Sequence, residues 1–416
     1  MKQGLQGELA HHLAAYRPGW SLPRPFYSDE AIYRADMEQV WRKGWLFAGH
    51  ACELPKTGDW LTLQVDNDSV IVIRGEDGAV RALHNVCRHR GSQILPPGRG
   101  SAKRLVCPYH QWTYDTRGAL SFCRGMHDID KSNFSLKKVH CEQMDGLIFI
   151  SLAERPPPFA PARELMAPFL QPQGFERGKV AKQVDYEIHA NWKLVWENNR
   201  ECFHCNVNHP QYIKANWDHY NADDTSAEVK AEIDRVLEKN EKKWASAGLA
   251  VSHRRTGMTE FPDAERGIWY SANRTALVEG WVSESMDGRQ VSTLMGAYTE
   301  ADVGTLRART LPNFWNHSSC DHGVSTLLLP AGPRKTLARV SWLVHEDAVE
   351  GRDYRLEELM PFWQLTSEQD WAICERQQKG VESRAYEPGP YSTYKEYNVD
   401  AFVRWYVKTL AAGASA

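Results

Sequence analysis

The sequence is poor in everything that would tie a chain to a nucleic acid or a bilayer. Fifty basic residues against 53 acidic ones leave a formal net charge of −3. That balance offers no basic field for a polyanion and no polybasic run for an anionic membrane. No segment approaches the roughly 20 consecutive apolar residues that cross a hydrocarbon core. The opening stretch MKQGLQGELAHHLAAYRPGW holds neither a long apolar run nor a signal-like cleavage site. A cytoplasmic protein that binds neither nucleic acid nor membrane is therefore expected. Repeats and low-complexity tails are absent, and no G-x-G-x-x-G follows a strand pattern, so no flavin or nicotinamide fingerprint is built in.

Disulfides are rare in the cytoplasm, so the nine cysteines need another account. Cys52, Cys123, Cys141, Cys320 and Cys374 stand singly and read as small buried apolar side chains. What remains is ordinary for a globular protein: 416 residues, 42% apolar and 25% charged, enough for a large core and two domains.

From Trp45 to about Leu152 the text reads as short strands between turns. DWLTLQV, SVIVIRGEDGAVRALHNV, RLVCPYHQWTYDTRGALSF and DGLIFISL carry the strand patterns, with turns at 76–78 and 116–118. Adjacent prolines at 156–158 then mark a boundary. Beyond it, 190–206 and 354–384 have helical period, and 226–246 reads as a charged, solvent-facing helix. TLRARTLPNFW, STLLLPAG and LARVSWLVHED read as antiparallel strands. Strands and helices do not alternate regularly, so the fold expected is α+β: a small all-β domain plus a larger domain with an antiparallel sheet and flanking helices. The expected division is an N-terminal helical segment at 1–44 packing with the larger domain, the all-β domain at 45–155 and the larger domain at 156–416.

One stretch, CRHRGSQILPPGRGSAKRLVCPYH, stands apart. Cys87 and His89 sit two positions apart and Cys107 and His110 three apart, on two loops. A tetrahedral zinc could take two thiolates and two imidazoles. Zinc sites, however, usually pair like with like in each turn, whereas each loop here mixes the types. One iron can thus take both cysteines and a second iron both histidines, the division found in a Rieske [2Fe–2S] centre.

Cys87-Arg88-His89-Arg90-Gly91 and Cys107-Pro108-Tyr109-His110-Gln111-Trp112 resemble the two Rieske boxes of the Rieske non-haem iron oxygenases. A bare Rieske protein would only carry electrons, and some 260 further residues imply that the electron is used. In NWKLVWENNRECFHCNVNHPQ, Glu201 and His204 are three apart and would share a helix face. His209 precedes Pro210, which pushes it out of helical geometry. Two histidines and a later carboxylate would form the facial triad of a non-haem iron(II) site. The pattern acid-x2-His-x4-His is similar to the family's catalytic motif, which implies His204 and His209 as ligands. The resemblance also implies a ligand aspartate in a C-terminal helix, where Asp370 matches best and Glu368 and Glu375 are the alternatives.

In most of the family the acid before the histidines is an aspartate joining the two metal sites across a subunit boundary. Glutamate at 201 resembles the branch acting on quaternary ammonium compounds. The resemblance implies that Glu201 bridges His110 or His89 of one subunit to His204 of the next, in a homotrimer. Asn198 and Asn199 could orient ligands or substrate, or simply cap the helix. ENNRECFHCNVNHPQ and WVSESMDGRQVSTLMG are most similar to glycine betaine and stachydrine demethylating oxygenases. Such an enzyme would take electrons from a separate NAD(P)H-dependent flavin and iron–sulfur reductase. With dioxygen it would hydroxylate an N-methyl group and release formaldehyde. A quaternary ammonium offers no N–H donor, so aromatic faces must recognise it; Trp217, Tyr220, Trp281, Tyr298, Phe314 and Trp315 are the candidates. An aromatic ring-hydroxylating dioxygenase and a pure electron carrier are the competing readings.

Overall fold

Alternation along two neighbouring strands shows how one sheet serves two cores. The computed structural model describes residues 2–216, 226–257 and 266–414. Its first sheet is built from β1 (Leu46–His50), β2 (Asp59–Val65), β3 (Asp68–Arg74), β4 (Val80–His84), β5 (Arg99–Ser101), β9 (Lys138–Met144) and β10 (Leu147–Ser151), with β6 (Leu105–Val106), β7 (Thr113–Tyr114) and β8 (Leu120–Phe122) forming a separate small sheet. All pairings are antiparallel, in the order β1-β10-β9-β4-β3-β2-β5. Side chains of a strand alternate between faces. Leu61, Leu63, Val70 and Val72 accordingly enter the main core, while Trp60, Ile71 and Ile73 point the other way. That second face joins Cys87, Cys107, Trp112 and Tyr114 in a small core of its own. The two Cys/His loops are thus anchored to the back of a sheet buried on both sides.

The second sheet contains β11 (Gly178–Ile188), β12 (Ser252–Gly257), β13 (Tyr270–Thr275), β14 (Thr305–Thr310), β15 (Phe314–Ser318), β16 (Gly323–Gly332) and β17 (Lys335–His345). Its order is β11-β17-β16-β15-β14-β13-β12, a meander closed by β11 at one edge. The run TLRARTLPNFW divides into β14 and β15, because Pro312 cannot donate to a ladder and ends the first strand. Helices Trp192–Asn199, Pro361–Val381 and Tyr397–Ala414 pack together beside this sheet.

Asn191 caps the first of these by accepting from the Lys193 amide, a contact worth about 1 kcal/mol. The helical period of 190–206 overstates the helix, which stops at Asn199; Glu201 and His204 lie in the turn beyond it. The helix Ala227–Ser246 is mostly exposed but buries Ile233, Leu237 and Trp244 along one stripe. At the N-terminus, Trp41 meets Trp192 edge-on at 5.4 Å and Asp36 pairs with Lys193. No helix among the described residues is long and apolar enough to cross a membrane.

Of the single cysteines, Cys123, Cys320 and Cys374 are buried, and Cys52 and Cys141 are half-buried. Cys202 and Cys205, which spacing did not single out, form a disulfide, against the expectation of a chain without one.

Candidate active site

Cys87 and Cys107 open matching turns. Gly91 N–H donates to the Cys87 carbonyl and Gln111 N–H to that of Cys107, each at 3.0 Å. Gly91 and Gln111 both adopt left-handed backbone, at φ +79° and +59°. Cys87 and Cys107 N–H donate in turn to the Ser92 and Trp112 carbonyls at 2.8 Å. Each turn therefore throws its cysteine inward and its histidine to the same side, and the two imidazoles lie 4.7 Å apart. His89 also stacks on Trp112 at 5.0 Å.

Tyr114 Oη sits 3.4 Å from Cys87 Sγ and accepts from Arg88 N–H at 3.0 Å. Burial pushes the Cys107 thiol up from its ordinary pKa, and the neighbouring Cys87 adds to the rise. His89 Nδ1 is buried without a hydrogen-bond partner. A buried orphan is costly. Two buried thiols beside two imidazoles, one with an orphaned nitrogen, fit an iron–sulfur cluster that would take up both demands.

The second cluster forms where the turn after Asn199 meets the helix Pro361–Val381. His204 Nε2 and His209 Nε2 lie 3.1 and 2.9 Å from the same Asp370 oxygen, Oδ1. The opposite ring nitrogens are already engaged: His204 Nδ1 lies 2.6 Å from Glu201 Oε1, and His209 Nδ1 lies 2.8 Å from Gln369 Oε1. Nδ1–H donated to an acceptor leaves Nε2 with a lone pair, and metal-bound histidines are oriented in this way. Two lone pairs and a carboxylate oxygen then face one point, an arrangement that a cation satisfies.

Burial opposes charging of His204, but hydrogen bonds to Asp370 and Glu201 outweigh it and raise its pKa to about 10. Asp370 is held below the usual carboxylate range, burial being overcome by the two histidines. Cys205 Sγ also approaches His204 Nε2, at 3.9 Å, yet its bond to Cys202 leaves no thiolate to offer.

The turn is rigid for a local reason. Glu201 Oε2 accepts from the Phe203 amide and, at 3.3 Å, from the His204 amide. The glutamate thus caps its own loop while holding the histidine. The shared helix face expected of Glu201 and His204 is replaced by this side-chain cap, with the same juxtaposition as outcome. His209, at φ −126° and ψ 68°, is outside helical geometry, consistent with the following proline.

Comparison with known proteins matches residues 44–132 to the Rieske [2Fe-2S] domain and residues 175–412 to the ring hydroxylating alpha subunit catalytic domain. The chain belongs to the Rieske ring-hydroxylating alpha-subunit family. It is 40% identical, over 93% of its length and 88% of theirs, to a protein named glycine betaine monooxygenase oxygenase subunit from Pseudomonas aeruginosa. It is also 32% identical, over 46% of its length and 53% of the other's, to a carnitine monooxygenase oxygenase subunit of Escherichia coli. Among solved structures, a quaternary ammonium Rieske monooxygenase superposes with TM-score 0.70 at 20% identity, covering 97% of this chain and 98% of that one. Naphthalene 1,2-dioxygenase from Rhodococcus sp. reaches 0.67 at 19%, covering 98% of each, so the fold alone does not separate amine from ring substrates. As a family member the chain is a Rieske non-haem iron monooxygenase with a [2Fe–2S] cluster and a mononuclear iron, both of which suit the donor sets above.

The alternatives to Asp370 point elsewhere. Glu368 bonds Gln364 and Tyr186, and Glu375 accepts from the His189 amide. Asn198 Nδ2 lies 3.4 Å from His204 Nε2, whereas Asn199 holds Arg309.

The cavity beside the triad is lined by Asn198, Arg307, Arg309, His317, Trp363 and Tyr212, among others. Of the aromatic candidates read from the sequence, the four among the described residues do not line it. Tyr298 bonds Arg274 and Gln173, Phe314 packs on Phe47, Trp315 lies edge-on to Trp196, and Trp281 covers Gly288. Trp217 and Tyr220 lie outside the described residues. The rings found, Tyr212, His317 and Trp363, come from three separate elements. Only strand and helix phasing together could have grouped them.

Proposed function

We propose that this oxygenase removes an N-methyl group from a quaternary ammonium compound, glycine betaine first and stachydrine next. The observation that carries this reading is the wall of the cavity beside the His204–His209–Asp370 cluster. Three arginines, two asparagines, three histidines and the carboxylates of Glu201 and Asp370 make up most of it, with Tyr212 and Trp363 as its benzenoid rings. A hydrocarbon ring would meet charge there, whereas a small ionic amine meets polar partners and the aromatic faces of Trp363 and Tyr212. The 40% identity with glycine betaine monooxygenase oxygenase subunits supports the same reading.

In this assignment His204, His209 and Asp370 hold the iron, and Cys87, His89, Cys107 and His110 hold the cluster. When bound, the cluster supplies single electrons and the iron activates dioxygen. The chain's own work is to fix the imidazoles through Glu201 and Gln369 and to hold the substrate against the triad. Substrate, one dioxygen, two electrons and two protons give the hydroxymethyl ammonium and water. The hydroxymethyl group then leaves as formaldehyde, with loss of a proton, and frees the demethylated amine.

Electrons come from a separate NAD(P)H-dependent reductase carrying flavin and iron–sulfur centres. The assembly is a homotrimer in which Glu201 joins His204 to a Rieske histidine of the neighbouring subunit. Exposed Val106, Tyr109 and Phe122 around the second Rieske loop support docking there. The domain division at 44/45 and 155/156 belongs to this reading, supported by the separate small core behind the cluster loops.

The test is formaldehyde release by iron-loaded protein with a compatible reductase, NADH and air. Glycine betaine, stachydrine, carnitine, choline and an aromatic acid are offered in turn. Release with a betaine is the expected result. Ring hydroxylation without formaldehyde from any amine would overturn the proposal in favour of the aromatic reading.

A further inference from the structure

Arg307 and Arg309 are two residues apart on β14, so both side chains leave the same face of the sheet. Their partners across the ladder are His317 and Trp315, which stand on that face as well. Trp363, Thr366 and Asp370 follow one another at spacings of three and four along the helix Pro361–Val381 and come down over it. The same cavity therefore has the ligand cluster in one part of its wall and two guanidiniums in another.

Both arginines are held in place. Arg307 donates to Tyr212 Oη at 2.7 Å and to Asn216 Oδ1 at 2.8 Å. Arg309, only 8% exposed, donates through Nε to Asn199 Oδ1 at 3.1 Å and lies 3.5 Å from His317 Nε2. An arginine can only donate, so His317 is the acceptor and its ring is neutral. Burial first, then the two guanidiniums, push His317 well below the ordinary imidazole pKa, in agreement with that role.

We propose that Arg309, backed by Arg307, binds the carboxylate of the substrate and so makes the enzyme selective for zwitterionic betaines over cations that lack a carboxylate. The inference rests on the quaternary-ammonium reading above. A trimethylammonium group alone gives a guanidinium no acceptor. A betaine brings its own anion within one or two carbons of the nitrogen, and a guanidinium fork matches a carboxylate in shape and charge. The arginines then anchor one end of a short ligand, which leaves the N-methyl groups to face the triad. Choline, with a hydroxymethyl group in place of the carboxylate, forgoes the anchor.

The experiment is calorimetric titration of the iron-loaded full chain with glycine betaine and with choline, for wild type, Arg309→Gln and Arg309→Lys. Wild type is expected to favour glycine betaine by about ten-fold or more. Arg309→Gln should lose at least about that factor for glycine betaine while holding or gaining affinity for choline, and Arg309→Lys should fall between. Unchanged Rieske absorption in each variant certifies its fold; where Arg309→Gln fails that check, the wild-type ratio and the lysine variant decide. Equal affinity of wild type for the two ligands, or equal losses for both in a folded variant, overturns the carboxylate anchor and leaves demethylation standing. Binding of neither ligand to wild type overturns the quaternary-ammonium reading and the anchor with it.

Discussion

Glu201 Oε1 lies 2.6 Å from His204 Nδ1, inside a turn that the same carboxylate closes through the Phe203 and His204 amides. One side chain therefore shapes the loop, fixes the imidazole tautomer and sets a carboxylate behind the ring whose other nitrogen faces Asp370. A longer acid serves this purpose well, because the turn leaves no helix to carry the reach.

Glu201→Gln separates these roles. The amide oxygen can still accept from Nδ1–H, although its NH2 then faces the Phe203 and His204 amides and cannot cap them, so both iron sites should remain filled, at about three irons per chain. The lost charge should lower turnover by on the order of ten-fold or more. Reoxidation of the reduced Rieske centre in a single turnover, followed by its visible absorbance, should slow in parallel. An unchanged reoxidation rate would remove Glu201 from the electron path and leave it a capping residue.

Filling the mononuclear site should release protons. Metal-free His204 has a pKa raised to about 10, chiefly because its bonds to Asp370 and Glu201 outweigh burial. It is therefore protonated at pH 8, and a metal must displace that proton to reach Nε2. Titration of cluster-containing, mononuclear-iron-free protein with ferrous iron in weak buffer at pH 8 should acidify the solution by about one proton per site. Asp370→Ala should abolish both this uptake and the third iron. Full uptake by that variant would return the carboxylate role to another residue.

The Rieske domain was legible because two cysteines and two histidines occupy one short stretch whose spacing has few chemical explanations. His204 and His209 stand out for the same reason, and Asp370 only through resemblance, since 166 positions separate it from His204; the structure sets the three side by side. What escaped the sequence is what depends on two elements in phase. Gln369 is an ordinary polar residue of an amphipathic helix until that helix sets it beside His209. The described aromatic candidates lie away from the cavity because large rings are the commonest core fillers, and Phe314 and Trp315 fill it. The helix period read through 190–206 was real, but Glu201 spends its side chain on the amides of a turn and so ends up outside the helix.

Glu197 should give the protein a distinct pH dependence. Burial raises its pKa to about 7, despite hydrogen bonds donated by Tyr27 Oη at 2.8 Å and Tyr391 Oη at 3.2 Å. A carboxyl whose folded-state pKa exceeds its unfolded value stabilises the fold most below about pH 4.5, and the contribution is lost as pH rises to about 7. Roughly 2.5 units correspond to about 3 kcal/mol. Glu197→Gln keeps an acceptor for Tyr27 and carries no charge to bury. The stability difference between variant and wild type should shift by about that amount in favour of the variant between pH 4.5 and 7.5. Urea midpoints across this range measure it, and a difference independent of pH would show that another group carries the titration.

The buried pair Asp36 and Lys193 makes a final case, because neither side chain has any exposed surface. Asp36 also accepts from Tyr406 Oη at 2.6 Å and from Trp192 Nε1 at 3.0 Å, and so ties the N-terminal helices to two others. Burial raises the pKa of Asp36 and lowers that of Lys193, each opposed by the partner. Asp36→Leu strands an ammonium and two donors and should cost about 3–5 kcal/mol. Lys193→Met should cost less, since the carboxyl can take a proton and keep its bonds to Tyr406 and Trp192. That cost should shrink further as pH falls, because the buried carboxylate is then neutralised for less. Replacing both charged residues by apolar ones is often neutral in other proteins. Here the double variant should still lose stability, because the Tyr406 hydroxyl and the Trp192 N–H would be left without an acceptor, at about 1–3 kcal/mol each. A double variant as stable as wild type in chemical denaturation would show that these two donors find other partners, and that the pair sets the packing angle without supplying net stability.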